Sequence, residues 1–275
     1  MCSLSSAMGC SAAAARQWAA WQLLDSLLPT GGFAHSQGLE AAAQASVVDA
    51  SAESVALFCR QALHNTASSL LPYLEEVLAA AAPLAADPAS DAIDAALSRV
   101  AELDSRLHCQ LAGNHVAQRA SEALGASLLR ASCAAFSNDS QAMRRLLAGL
   151  RAMYRQRAGE ERGQRSSCHQ VCAFGALTGA LGFEASAGKR MFLYMTLRDM
   201  LSAATRLNLV GPMEAAGLLR ELGAVAEEVV QADERAAAGR ALDWGTGLGG
   251  PASSAPLLDL LQGCHDMMYS RLFSS

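Results

Sequence analysis

Apolar residues recur along most of this sequence at intervals of three and four residues, the spacing that places them on one face of an α-helix. Between Arg190 and Leu207 the apolar positions are Leu193, Leu197, Met200, Leu201, Ala204 and Leu207. The following segment repeats the pattern at Leu218, Leu222, Val225 and Val229. We therefore expect these two helices to pack on each other through their apolar faces. Alternating apolar and polar positions, which are typical of strands, are scarce, so the pattern predicts an all-α fold.

The same reasoning predicts about ten helices joined by short connections that contain Gly, Pro, Ser or Asn. They fall at about residues 16–28, 37–47, 52–81, 92–117, 119–136, 141–157, 170–181, 190–207, 212–230 and 257–272. This organisation favours a single-domain helical bundle over residues 16–275. Residues 1–15 are expected to form a disordered extension, and the Gly-, Pro- and Ser-rich residues 244–256 a flexible loop that separates the last helix from the body.

Residues 264–275, here called the tail, are unusually rich in large side chains for the end of a chain. Tyr269, Arg271, Leu272 and Phe273 are of the types that favour the centres of protein interfaces. The tail is therefore predicted to dock on another protein. The alternative is a final helical turn packed on its own domain, because Tyr269, Leu272 and Phe273 also have helical spacing.

The composition limits the classes of partner. Of the 275 residues 52% are hydrophobic and 17% are charged, which supplies a large core, and the formal net charge of -5 is the wrong sign for a nucleic-acid binder. No long uninterrupted apolar run predicts a membrane span. The eight cysteines are scattered and too sparse for a disulfide framework, which favours a reducing compartment such as the cytoplasm.

Motifs for catalysis are missing or incomplete. The segment from Gly182 to Arg190 resembles a phosphate-binding loop, but its glycines are one residue too far apart and no strand precedes it. We interpret it as a turn between helices. The sequence contains no Glu-x-x-His, which argues against a helical di-metal site. The remaining metal candidates are Cys168, His169 and Cys172, because thiols at i and i+4 share a helix face; Cys264 with its neighbours His265 and Asp266 is a second candidate group.

The segment from Pro29 to Glu40 has the pattern of a tight turn between two helices. Gly31 and Gly32 follow Pro29, Phe33 is expected at an exposed apex, and Ser36 is the predicted N-cap of the next helix. A helix hairpin of this kind does not by itself imply a function.

The turn motif with Gly31, Gly32, Phe33, His35, Ser36, Gly38 and Glu40, together with Tyr269-Ser270-Arg271-Leu272-Phe273, resembles the urease accessory protein UreF family in its plant and algal form. The segments His169 to Leu177 and Arg206 to Pro212 are also similar to parts of this family. The resemblance implies an all-α, UreF-like homodimer without catalytic activity. It further implies a scaffold that binds UreD and the GTPase UreG and regulates GTP-dependent nickel insertion into apo-urease. No tightly bound cofactor is expected, since the complex would handle nickel and GTP.

The resemblance also implies roles for particular residues. Phe33, Tyr269 and Arg271, with the adjacent Leu272 and Phe273, match the surface that binds UreD, and Arg190 and Tyr194 match the helix used for dimerisation. A rival hypothesis is a helical, thiol-based nickel or metal carrier, or a metalloenzyme, that uses Cys168, His169, Cys172 and Cys264. It predicts stoichiometric metal that is lost when cysteines are replaced by serine.

Overall fold

The computed structural model describes residues 11–86, 90–160, 168–237 and 250–275, and within these ranges the regular elements are all helices. The eleven α-helices are α1 Ala12–Leu24, α2 Leu39–Gln44, α3 Ala52–Ser69, α4 Leu71–Ala81, α5 Ser90–Leu111, α6 His115–Ala135, α7 Gln141–Glu160, α8 Gln170–Ala180, α9 Ala185–Arg206, α10 Pro212–Ala237 and α11 Pro256–Gly263. Short 3₁₀ turns lie at Gly32–Ala34, Ala82–Ala86 and Cys264–Met267. The all-α prediction is confirmed.

Helix α8 lies at the centre of the bundle. Every residue from Val171 to Ala180 is buried, which explains why this short helix is apolar on all sides. Helix α8 packs between α4 and α6. Helix α9 packs along α10, as predicted from the apolar faces of these two helices, and α10 also contacts α3.

A buried ion network joins three of these helices. Lys189 on α9 is 1% exposed and donates hydrogen bonds to Glu75 on α4 at 2.8 Å and to Asp233 on α10 at 2.7 Å. Burial alone would lower the pKa of Lys189, but the hydrogen bonds to Asp233 and Glu75 outweigh burial and raise it. Lys189 is therefore a structural residue inside α9. The interpretation of Gly182 to Arg190 as an inter-helix turn holds only for Gly182 to Glu184, because α9 already begins at Ala185.

The helix predicted over 52–81 is two helices, α3 and α4, bent by 48° at Leu70. The break arises because Pro72 has no backbone N–H for the carbonyl oxygen of Ser68. That oxygen instead accepts a hydrogen bond of 3.2 Å from the backbone N–H of Ala252. This split accounts for eleven helices where ten were expected. The boundary between α5 and α6 also lies earlier than predicted, because the Asn114 side chain caps α6 by accepting from Ala117 N–H at 3.0 Å.

Both ends of the chain differ from the expectations. Helix α1 begins at Ala12 because Ser11 caps it, so residues 12–15 of the predicted disordered extension are helical, and residues 1–10 lie outside the described residues. Of the predicted flexible loop, residues 244–249 also lie outside them. Its described part is held to α3, since Asn65 Oδ1 accepts hydrogen bonds from Ser254 N–H at 2.8 Å and from Ser253 Oγ at 3.0 Å.

Among the helices that the structure describes, no single one is both long and apolar enough to cross a membrane; the bent pair formed by α3 and Leu71–Ala86 satisfies the length and composition criteria only in combination.

Candidate functional site

The turn between α1 and α2 is packed tightly against α9. Gly31 has φ 82° and Gly38, which precedes α2 as its N-cap, has φ 89°, so both occupy the left-handed region. A Cβ atom on Gly32 would lie 2.1 Å from Asp199 Oδ2, so a larger residue here would displace the Asp199 carboxylate from its position between the turn and α9. Phe33 follows at the apex with 65% of its surface exposed, as predicted.

The tail folds back onto this turn. Beyond Met267 it is not helical, and it runs beside the turn through backbone hydrogen bonds. Ser274 N–H donates to Ala34 O at 2.8 Å, and Ser36 N–H donates to Ser275 O at 2.6 Å. The Ser36 hydroxyl also donates to Ser275 O at 2.9 Å, and His35 Nδ1 lies 2.6 Å from Ser275 Oγ. Residues 34–36 of the turn and residues 274–275 of the tail are therefore joined by four polar contacts.

Two sequence predictions need correction here. The helix expected over 257–272 ends at Gly263, because the turn offers the tail backbone partners that compete with helical hydrogen bonds. Ser36 is not the N-cap of α2, because Gly38 occupies the capping position. The Ser36 hydroxyl donates to Ser275 O and accepts from the backbone N–H of Glu40, in the first turn of α2, at 3.4 Å.

Glu40 is the buried centre of the junction. It lies in the first turn of α2 and is 2% exposed. Its carboxylate accepts hydrogen bonds from the backbone N–H groups of Leu272 at 2.5 Å and Phe273 at 3.1 Å. His265 Nε2 lies 3.2 Å from the same carboxylate. These three contacts offset the cost of burying the carboxylate and fix the path of the tail.

Arg206, at the end of α9, joins the turn to the tail from the other side. Its guanidinium donates to Phe33 O and lies 4.4 Å from the centroid of the Phe273 ring, a cation–π geometry. Phe273 is 6% exposed and belongs to the hydrophobic core. Of the residues predicted to face a partner, Phe273 is therefore buried against its own chain. The alternative interpretation of the tail is right about this packing and wrong about a final helical turn, because residues 268–275 are not helical.

Asp266 fixes the other end of the tail to α6. Its two carboxylate oxygens accept hydrogen bonds from Arg119 at 2.8 and 2.9 Å, and His115 Nε2 lies 3.1 Å away. Arg271 donates to the same carboxylate at 3.1 Å. The hydrogen bonds from Arg119 are the largest influence that holds the pKa of Asp266 well below its usual range. Sequence reasoning missed Arg119 and Arg206, because nothing in their local pattern indicates the distant tail.

The remaining large side chains of the turn and tail point outward. We call Phe33, Tyr269, Arg271 and Leu272 the docking face. Tyr269 is fully exposed, Leu272 is 54% exposed, and the side chain of Arg271 is 44% exposed. Met267, which the sequence analysis did not single out, is exposed beside them. The docking face thus presents two aromatic rings, an aliphatic side chain and a guanidinium on a backbone that is held in place.

The two residues predicted for dimerisation lie one turn apart on the outer side of α9. Arg190 donates two hydrogen bonds of 2.7 Å to the carboxylate of Glu227 on α10, and the side chain of Tyr194 is 39% exposed. Whether they contact a second copy stays a prediction.

The thiol cluster suggested by the sequence is deeply buried. Cys168, His169 and Cys172 are at most 1% exposed, and Cys168 and Cys172 are free thiols. Burial, reinforced by the nearby Asp104 carboxylate, raises the pKa of both thiols well above the usual range. Because a metal-binding cysteine must be deprotonated, this environment disfavours a thiolate site. Cys264 is exposed, and its neighbours His265 and Asp266 are engaged by Glu40 and Arg119.

Comparisons with known proteins all point to one protein family. The sequence model of the UreF family matches residues 49–223. Urease accessory protein F of Oryza sativa subsp. indica is 37% identical over 259 residues, which cover 93% of this chain and 84% of that protein. Urease accessory protein F of Arabidopsis thaliana is 37% identical over 265 residues, covering 96% and 95%.

A more distant relative is urease accessory protein 6 of Cryptococcus neoformans var. grubii, 29% identical over 122 residues, or 39% of this chain. The turn and the tail lie outside the range of the family match.

Proposed function

Since the chain belongs to the UreF family and has an accessory role in urease maturation, we propose that it acts as a dimeric, non-catalytic scaffold. In this proposal it binds UreD and the GTPase UreG and regulates GTP-dependent nickel insertion into apo-urease. It works in the cytoplasm, consistent with the free thiols of all its described cysteines. Nickel and GTP are handled by the assembled complex.

The observation that carries the proposal is the docking face. Tyr and Arg are enriched among the residues that dominate binding energies, because they bury much area and make directed hydrogen bonds. Tyr269 has almost no contact with its own chain, so its exposure is not explained by packing. A partner that covers the docking face would remove Phe33, Tyr269 and Leu272 from water together.

The anchored backbone also favours tight binding. Glu40, Ser36 and Ala34 hold residues 272–275 through hydrogen bonds, so a partner would meet a surface whose main chain is already positioned. Binding then requires less loss of conformational entropy than it would for a free peptide. We assign the UreD contact to this face, as the resemblance implies for Tyr269 and Arg271.

We test this assignment with Tyr269→Ala and Arg271→Ala in the full-length chain, measuring affinity for purified cognate UreD. Each substitution is expected to weaken binding at least tenfold, the loss typical of an interface hot spot of about 2 kcal/mol. Arg145→Ala, at an exposed position on α7, is the matched control and should bind as the unmodified chain does.

Circular dichroism and thermal unfolding should show that both variants keep the fold, because Tyr269 is fully exposed and Arg271 makes a single exposed ion pair. Unchanged affinity in both variants would exclude the docking face as the UreD contact. Truncation after Asp266 is a poorer test, since it would also remove the buried Phe273.

A further inference from the structure

Three ionisable side chains from separate helices meet beside the start of α8. They are His108 on α5, Glu122 on α6, and His169, which immediately precedes α8. One ring nitrogen of each histidine and one carboxylate oxygen of Glu122 all lie within 4.8 Å of one another. His108 Nδ1 is 3.1 Å from Glu122 Oε1. Of these three residues, the sequence analysis had singled out His169 alone.

His169 supplies an independent sign that a ligand is expected here. Its side chain is 0% exposed, and its Nε2 atom has no hydrogen-bond partner among the described residues. Its other nitrogen, Nδ1, lies 3.1 Å from Ser121 Oγ. A buried polar atom without a partner is unfavourable, because it has lost its hydrogen bonds to water and forms none with the protein.

We propose that His108, Glu122 and His169 bind a divalent transition-metal ion of the zinc and nickel class. Two imidazoles and a carboxylate are suitable ligands for such an ion, and three protein ligands leave a coordination position open for water or an exchanging ligand. The proposal does not depend on partner binding at the docking face.

The surroundings suit the role of each ligand. Ser121 Oγ lies within hydrogen-bond distance of Nδ1 of His169 and can accept its proton, and in that tautomer Nε2 carries the lone pair that a metal requires. Burial, and secondarily the charge of His108, lower the pKa of His169 to about 3, so this ring is neutral at neutral pH. Glu122 contributes the negative charge that an ion would offset. The His169 backbone is fixed as well, since its N–H donates to Asp104 Oδ1 at 2.9 Å.

The ligand atoms need only a small adjustment to coordinate an ion. In a tetrahedral site with bonds of about 2.1 Å, ligand atoms are about 3.4 Å apart. His108 Nδ1 and Glu122 Oε1 are already 3.1 Å apart, and the ligand atoms of all three residues lie within 4.8 Å of one another. His169 is immobilised by packing, whereas the side chains of His108 and Glu122 are 25% and 15% exposed and can move inward. Their exposure also gives the ion a route from solvent.

The test is titration of the full-length chain, first dialysed against a chelator, with Zn²⁺ and separately with Ni²⁺ in isothermal calorimetry. We expect one ion per chain, with affinity reduced at least tenfold in both His108→Ala and Glu122→Gln. His64→Ala, at an exposed histidine on α3, and Cys168→Ser are the controls and should change affinity less than twofold.

A Co²⁺ spectrum separates this site from the thiol hypothesis. Absorption typical of nitrogen and oxygen ligands, without thiolate charge transfer, supports the proposal. The proposal would be overturned if the unmodified chain bound no ion, or if Cys168→Ser lost the ion. It would also be overturned if His108→Ala and Glu122→Gln bound the ion as tightly as the unmodified chain does. Circular dichroism of each variant checks that a loss of binding is not a loss of fold.

Discussion

At the scale of single residues, Glu40 has the most concentrated role, because one buried carboxylate accepts from two tail N–H groups and contacts His265. Glu40→Gln should release the tail, because the amide side chain has only one acceptor oxygen. Its NH₂ group would face one of the two tail N–H groups, and two donors cannot form a hydrogen bond with each other. Hydrogen bonds to a charged group contribute about 1.5–3 kcal/mol, so we expect a loss of about 3 kcal/mol in the free energy of unfolding.

Urea denaturation measures that loss, and hydrogen exchange at Leu272 and Phe273 reports the release directly. Glu53→Gln, in the exposed first turn of α3, should leave both measurements unchanged. If Glu40→Gln kept the tail amides protected, the carboxylate would not be what holds the tail.

At the scale of helices, Gly125 lets α6 approach the residues that lead into α8 closely. A Cβ atom on Gly125 would lie 1.7 Å from the carbonyl oxygen of Cys168, a backbone atom that cannot turn away. Gly125→Ala should therefore push the start of α8 off α6 and destabilise the protein by about 1–3 kcal/mol or more.

Gly223→Ala is the matched control for helix propensity. A Cβ atom at this exposed position in α10 meets nothing within 4 Å, so the substitution should stabilise the protein by about 0.5–1 kcal/mol. Thermal unfolding of both variants checks the opposite signs. Equal effects would show that the contact at Gly125 relaxes without cost.

The helices also show what a sequence can predict. Local apolar spacing correctly gave α9, α10 and their contact, because each face is determined within a few turns. It failed at 257–272, where Tyr269, Leu272 and Phe273 have helical spacing but Glu40, Ala34 and Ser36 bind the tail backbone from more than 225 positions away. The meeting of His108, Glu122 and His169 was hidden for the same reason, since it depends on how three helices pack.

At the scale of the whole molecule, the docking face is built from the turn and the tail, whereas Arg190 and Tyr194 lie on α9. We therefore expect one chain to bind a partner through the first and a second copy through the second. On α9, Arg190 is already paired with Glu227 within the chain, whereas Tyr194 is partly exposed. We therefore expect Tyr194 to contribute more than Arg190 to a homodimer, because a partner need not break an existing ion pair to cover it.

Light scattering coupled to size-exclusion chromatography should give twice the chain mass of 28.6 kDa for the unmodified protein. Tyr194→Asp should shift it to the monomer, because a charge at the centre of an interface would be desolvated without a partner. Tyr269→Ala removes an exposed tyrosine from the other surface and should remain a dimer. A monomer at every concentration of the unmodified chain would contradict the homodimer, and a dimer that survives Tyr194→Asp would contradict this placement of its interface.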